Sequence, residues 1–212
     1  MLDSEESEAK VILLGESGVG KTNLINITMG GNFNDNEIVS STSSFSIKKL
    51  TVHGKEYTIK LWDTIGQERL RSLTKLFYND SKIAIFVYDI TRKETFEELK
   101  SYWVNDVIEK LGKDIIKGVV ANKIDLFLSE KVSREEGEEF ANSINAQFLS
   151  TSAKADSPEK FEGFLAKLYE EYLAKKGAIQ TEMKTNVKTK NKKISLNKNK
   201  KNEDGGKGKK CC

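Results

Sequence analysis

Residues 15–22 read Gly-Glu-Ser-Gly-Val-Gly-Lys-Thr, which is the residue set and spacing of a loop that grips phosphate. Its glycines keep side chains away. The backbone N–H groups of Ser17, Gly18, Val19, Gly20 and Lys21 can therefore point at phosphate oxygens. A helical pattern opens at Lys21 with Thr22 and Asn23 in its first turn, so the positive end of a helix faces the same anion. Lys21 would set a cation on the outer phosphates and stabilise charge as a phosphoryl group moves. Thr22 offers a hydroxyl to the magnesium ion that accompanies such phosphates. The loop implies a nucleoside triphosphate and says nothing of the base.

Three further motifs follow in order. Trp62-Asp63-Thr64-Ile65-Gly66-Gln67-Glu68 closes a strand-like run. Asp63 can hold magnesium through water, Gly66 can turn its N–H to the terminal phosphate, and Gln67 can orient an attacking water. Asn122-Lys123-Ile124-Asp125 follows the apolar run Val119-Val120-Ala121. A carboxylate at Asp125 would accept hydrogen bonds from the ring N–H and exocyclic amine of guanine. Adenine has no ring N–H at that edge and would leave the carboxylate unpaired. The Lys123 stem can lie along the purine face. Ser152-Ala153-Lys154 can add backbone and side-chain contacts to the same base.

Strand and helix patterns alternate in the way needed to position these motifs. Strands are predicted over Lys10–Leu14, Ser44–Val52, Tyr57–Trp62, Ile83–Asp89, Ile115–Asn122 and Ala146–Ser150. Helices are predicted over Lys21–Met29, Leu70–Tyr78, Thr95–Leu111, Ser133–Asn145 and Ser157–Lys175. Continuous apolar runs such as Ile83-Ala84-Ile85-Phe86-Val87-Tyr88 suit strands covered on both faces. The fold class is α/β: a mostly parallel six-stranded sheet with helices on both faces and one hairpin at His53-Gly54. In such folds ligands sit beyond the carboxyl ends of the strands, where each motif falls.

Composition narrows the function classes. The chain of 212 residues has a net charge of +3. The stretch 176–212 holds twelve lysines against Glu182, Glu203 and Asp204, so the body before it is net acidic. An acidic body argues against a nucleic-acid-binding globule, and the basic tail points to an anionic surface. The tail is too poor in apolar residues to order itself. The polar, acidic start does not read as a signal peptide. Both cysteines are Cys211 and Cys212, which leaves none in the body for a disulfide or zinc site. The organisation expected is a flexible stretch 1–9, a nucleotide-binding domain 10–175 and a disordered basic tail 176–212.

Over roughly residues 8–175 the sequence resembles the Ras superfamily of small GTPases, and within it the Rab family. The likeness rests on the loop at 15–22, Trp62–Arg69, Leu70-Arg71-Ser72-Leu73-Thr74, Phe86-Val87-Tyr88-Asp89-Ile90-Thr91 and the final Cys-Cys. The resemblance implies the small G domain of the P-loop NTPases. It implies a monomer that binds GTP and GDP with Mg2+ and hydrolyses GTP slowly, with Gln67 and Lys21 as catalytic residues. Phe33 would flank the guanine, and a first switch would run from about Asn34 to Phe45. Cys211 and Cys212 would be prenylated, tying the chain to the cytoplasmic face of an endomembrane in vesicle traffic while it cycles with the cytosol. An exchange factor, a GTPase-activating protein, a prenyl carrier and effectors would be its partners.

Two departures from the family pattern stand out. Where the family carries Thr-Ile-Gly in the first switch, this chain has Ser40-Ser41-Thr42-Ser43-Ser44. Ser40 is the register-matched magnesium ligand beside Thr22 and Asp63, with Thr42 as an alternative two residues on. Ile65 replaces the family's alanine next to Gly66, and its branched side chain is expected to crowd the second switch and slow hydrolysis. These departures leave open a GTP-binding module that scarcely turns over. An ATP-dependent enzyme is the third reading, and Asp125 disfavours it.

Overall fold

The computed structural model describes residues 8–33, 44–64 and 78–177. Runs without polar alternation form the middle of the sheet. β1 (Ala9–Leu14), β4 (Ser81–Asp89) and β5 (Ile116–Asn122) are buried along nearly their whole length. Polar residues alternate only toward the edge, in β2 (Ser44–Val52) and β3 (Lys55–Asp63), and again in the short β6 (Gln147–Ser150). The strand order is β2-β3-β1-β4-β5-β6. Only the β2–β3 pair is antiparallel. His53 (φ 50°) and Gly54 (φ 75°) make the two-residue turn of that hairpin, both in the left-handed region that such a turn requires.

Successive residues of a strand face opposite sides, so the sheet carries two apolar layers. Ile12, Leu14, Phe86, Tyr88, Val119 and Ala121 form one core with Phe96, Leu99, Trp103 and Val107. Those last four come from α2 (Lys93–Glu98), a π-helical turn (Leu99–Trp103) and α3 (Val104–Leu111). α4 (Arg134–Ser143) covers the same face, its first turn capped by the Ser133 hydroxyl. Across the sheet lie α1 (Lys21–Thr28) and the helical residues 158–172, here α5, whose Phe164 and Leu168 pack on Gly118 of β5. The chain divides into units Met1–Tyr172 and Leu173–Cys212; in the second, residues 173–177 are described and are helical. Among the described residues no helix is long and apolar enough to cross a membrane.

The structure extends and shortens several predicted elements. β3 starts at Lys55, two residues early, because the tight turn pairs Lys55 with Val52 and Glu56 with Thr51. Residues Ile124–Ser129, which carry the end of the Asn122–Asp125 motif, form a 3-10 turn absent from the predicted elements. The predicted helix Leu70–Tyr78 lies outside the described residues except at Tyr78.

Tyr88 gives a test of the packed core. Its hydroxyl is buried with no hydrogen-bond partner among the described residues. Burial, with Glu136 and Glu130 nearby, pushes its ionisation well above the usual tyrosine range, so it stays a neutral O–H. A Cβ added at Gly137 would lie 2.3 Å from that hydroxyl. Tyr88→Phe should raise stability by about 1 kcal/mol, because an unsatisfied buried polar group is removed. Gly137→Ala should destabilise by about 1–3 kcal/mol, and the double variant should recover part of that loss. Thermal denaturation of the three variants measures both effects; a Tyr88→Phe chain that melts below the parent would contradict this account of the core.

Candidate functional site

β1 lies between β3 and β4, so the chain leaves its end toward one side of the sheet and returns on the other. A crevice at the carboxyl end of β1 results, and residues 15–20 fill it. Gly15 has φ 141°, and a Cβ there would sit 2.1 Å from the carbonyl oxygen of Val87 on β4. Gly20 has φ 98°, and a Cβ there would sit 2.3 Å from the amide nitrogen of Asn122. Only glycine fits either place. Gly20 is also the N-cap of α1 and brings no capping side chain to the first-turn N–H groups. Lys21 is 6% exposed, and its ammonium donates to the carbonyls of Gly15 at 2.8 Å and Glu16 at 2.9 Å. The predicted phosphate residues thus form one bare-backbone loop with a buried cation at its foot.

Three donors hold the loop from outside. The Asn122 amide donates to the Val19 carbonyl at 2.7 Å. The Arg92 guanidinium donates to the Ser17 carbonyl at 2.8 Å. The Trp103 indole N–H donates to the Glu16 carboxylate at 3.1 Å. Asn122 does double duty, since its side-chain oxygen accepts the Ala153 N–H at 3.1 Å. One side chain therefore ties the phosphate loop to the segment predicted to read the base.

That segment is equally built. Lys123 follows β5 with φ 68°, a strained setting for a non-glycine residue. Its ammonium meets the Asp89 carboxylate at 2.8 Å. Asp89 closes β4 directly beside Asn122 in the strand register, and its carboxylate also accepts from the N–H and hydroxyl of Thr91 and from Arg92. Burial alone would push the Asp89 carboxyl up; the bonds from Lys123 and Thr91 outweigh it and hold the group below the usual carboxylate range. Asp125 accepts the Ser152 hydroxyl at 2.5 Å. Ser152 accepts in turn from the Lys154 and Ala155 N–H groups. Asp156 fastens the other side of this turn through the Ser152 N–H and the Thr151 hydroxyl. Burial raises the Asp156 carboxyl, but its bonds to Lys160 and Ser152 prevail, so it too lies low. Lys154 sits over the Phe33 ring, 5.4 Å from its centre, which brings together two residues predicted to touch the base.

Asp63 ends β3 opposite Leu13 in the register, next to the start of the loop, and is 2% exposed. The following Thr64 hydroxyl donates to the Leu13 carbonyl at 2.7 Å and fixes the exit from the strand. Thr22 and Asn23 lie in the first turn of α1. A hydroxyl and a carboxylate are hard oxygen donors, the chemistry magnesium takes, so these residues fit the predicted ion. Among the described residues no cluster of three or more histidine, cysteine or acidic side chains gathers as a metal site. Ser40, Thr42, Ile65, Gly66, Gln67, Cys211 and Cys212 lie outside the described residues.

Sequence reasoning missed Glu16's side chain, Asp89, Arg92, Trp103 and Asp156. Asp156 had a local signal, since it stands just before the Ser157-Pro158 helix start. Asp89 stands in the Phe86–Thr91 run and Glu16 in the loop itself, while Arg92 and Trp103 had no local signal.

A family model described as the Ras family matches residues 10–173. The chain is 44% identical over 145 residues to the Ras-related protein Rab-21 of Canis lupus familiaris, covering 68% of this chain and 65% of that protein. The human protein of the same name is also 44% identical over 145 residues, covering 68% and 64%. The Rab-21 of Geodia cydonium is 40% identical over 147 residues, covering 69% and 64%. The matched stretch thus spans slightly less than two thirds of these relatives' own length.

Proposed function

The chain belongs to the Ras family, and from that premise we propose that it is a Rab-like small GTPase acting as a guanine-nucleotide switch in vesicle traffic. The observation that carries this reading is the Asn122 side chain, which donates to Val19 and accepts from Ala153. It joins the loop at 15–22 to the turn at 152–154, whose Ser152 bonds Asp125, and such a tie supports a single ligand that meets phosphate groups at one and a base at the other.

In this reading the loop N–H groups from Ser17 to Lys21 bind the phosphates, and the Lys21 ammonium meets them while its bonds to the Gly15 and Glu16 carbonyls anchor it. Asp125 pairs with the guanine edge. Lys123, Phe33 and Lys154 enclose the ring, and Ser152 holds Asp125 in place. Thr22, Ser40 and Asp63 would hold magnesium, which when bound supplies positive charge to the phosphate oxygens. Gly66 donates its N–H to the terminal phosphate and Gln67 orients the water for in-line attack. Lys21 and the loop N–H groups stabilise the charge that develops, and turnover is slow without a partner. Prenylated Cys211 and Cys212, with the tail lysines, hold the protein on the cytoplasmic face of an endomembrane. An exchange factor, a GTPase-activating protein, a prenyl carrier and effectors complete the cycle between membrane and cytosol.

The test is identification of the nucleotide released when the purified full chain is denatured, followed by competition between GTP and ATP. Guanine nucleotide in near-stoichiometric amount is expected, with GTP preferred by about 10⁴-fold or more, because a site built to pair polar edges rejects a base that leaves them unpaired. An empty protein, or one displaced equally by ATP, would overturn the reading.

A further inference from the structure

The helical stretch from Lys93 to Leu111 contains neither glycine nor proline, yet it widens to a π-helical turn at Leu99–Trp103. Such turns lack good packing of their own and recur where a helix serves a site. Here the widened turn ends on Trp103, which is 1% exposed. A buried indole N–H needs an acceptor. Trp103 takes the Glu16 carboxylate at 3.1 Å, 87 residues away in sequence and inside the phosphate loop. The backbone carbonyl of the same Glu16 accepts the Lys21 ammonium. Arg92, just before α2, meanwhile holds the Ser17 carbonyl. Consecutive loop residues are thus gripped from this helical stretch and the residue that caps its start.

We infer that Trp103 and Glu16 are a positioning pair for the phosphate loop: the indole fixes the residue that receives the Lys21 ammonium and restrains a negative charge beside the phosphates. The bond is charge-assisted, its donor is buried and its acceptor half-buried, so one hydrogen bond counts for more here than at the surface. Released from the indole, the Glu16 carboxylate would be a like charge near an anionic ligand. The inference rests on the guanine-nucleotide reading above.

Release of a fluorescent GDP analogue from the full chain into excess GDP tests it. Glu16→Leu and Trp103→Phe should each speed release by about tenfold, the scale of one lost hydrogen bond to a charged group. The double variant should be no faster than either single one, because both remove the same bond. Glu16→Gln keeps an acceptor oxygen and should stay within about threefold of the parent. Val107→Ala truncates the same helix's buried face without touching the loop; it should lower the melting temperature but leave release within about twofold. The chain has two tryptophans, so in a Trp62→Phe background the emission is Trp103's own, and Glu16→Leu should shift it. Should Trp103→Phe fail to fold, Glu16→Leu and the emission shift still decide. Release within about twofold of the parent in Glu16→Leu, or single effects that multiply in the double variant, would overturn the pairing. A parent that retains no nucleotide would overturn the guanine-nucleotide reading and this inference together. A parent that holds GDP while Glu16→Leu releases it no faster would overturn the pairing alone.

Discussion

Gly15→Ala should destabilise the domain by about 3–5 kcal/mol, the largest loss expected from a single methyl group in this chain. The new Cβ would stand 2.1 Å from the Val87 carbonyl oxygen, far inside van der Waals contact. Nothing flexible is available to yield. Val87 is backbone in β4, and β1 and β4 are neighbouring central strands in register from Val11–Ile83 to Leu14–Phe86. Separating them would break the ladder on which the crevice depends. The backbone at φ 141° adds strain for any residue with a Cβ. For a domain of this size the loss corresponds to a melting temperature lower by roughly 10 °C. Denaturation should be followed with and without saturating GDP, since bound ligand masks part of the loss. Gly54→Ala is the control, because its φ of 75° also disfavours a Cβ but nothing lies within 4 Å of the added carbon. It should cost only about 1 kcal/mol. Equal losses at the two positions would mean that backbone conformation, and not the approach of Val87, sets the need for glycine at the loop's entry.

The contrast between these glycines also marks what a sequence can reveal. Gly15, Gly20, Lys21, Asn122 and Asp125 were legible because the chemistry they serve demands fixed residue types at fixed short spacing. The central strands were legible because an uninterrupted apolar run has few alternatives. The hairpin was legible from His53-Gly54 between two strand-like runs. Boundaries were less so: Lys55 and Glu56 are residue types depleted in strands, and only pairing with Val52 and Thr51 makes them strand. A helix is expected over Thr95–Leu111 and is found from Lys93, but its widened turn is not foreseen, since an α turn and a slightly wider one leave nearly the same pattern over one turn. The loop's outer supports were invisible for a different reason. Arg92 reaches Ser17 across 75 residues and Trp103 reaches Glu16 across 87, and no local spacing encodes such pairings. They exist because the sheet order brings the ends of β1 and β4 together. The site is therefore written twice, in short motifs that meet the ligand and in distant residues that hold those motifs still.

Asp125→Asn should change which base the site accepts while leaving the fold intact. A carboxylate offers two acceptor oxygens to guanine's ring N–H and exocyclic amine. The asparagine amide keeps one acceptor and turns the other position into a donor, which then faces the amine N–H. Affinity for GTP should fall by about 10³-fold or more, as expected where buried polar groups oppose each other. Xanthine carries a carbonyl where guanine carries the amine, so its triphosphate presents the acceptor that the new amide needs. The variant should prefer XTP over GTP, reversing the parent's order. The fold should tolerate the change because the Asp125 oxygen that accepts the Ser152 hydroxyl has an equivalent in asparagine. Ser152 would go on receiving the Lys154 and Ala155 N–H groups, and Asp156 would go on holding Thr151. The nucleotide-free melting temperature should accordingly stay within about 2 °C of the parent's. Competition of GTP and XTP for the parent and the variant measures the switch. A variant that still prefers GTP would show that the base is chosen by backbone groups of the Ser152–Lys154 turn, with the carboxylate serving only to hold that turn in shape.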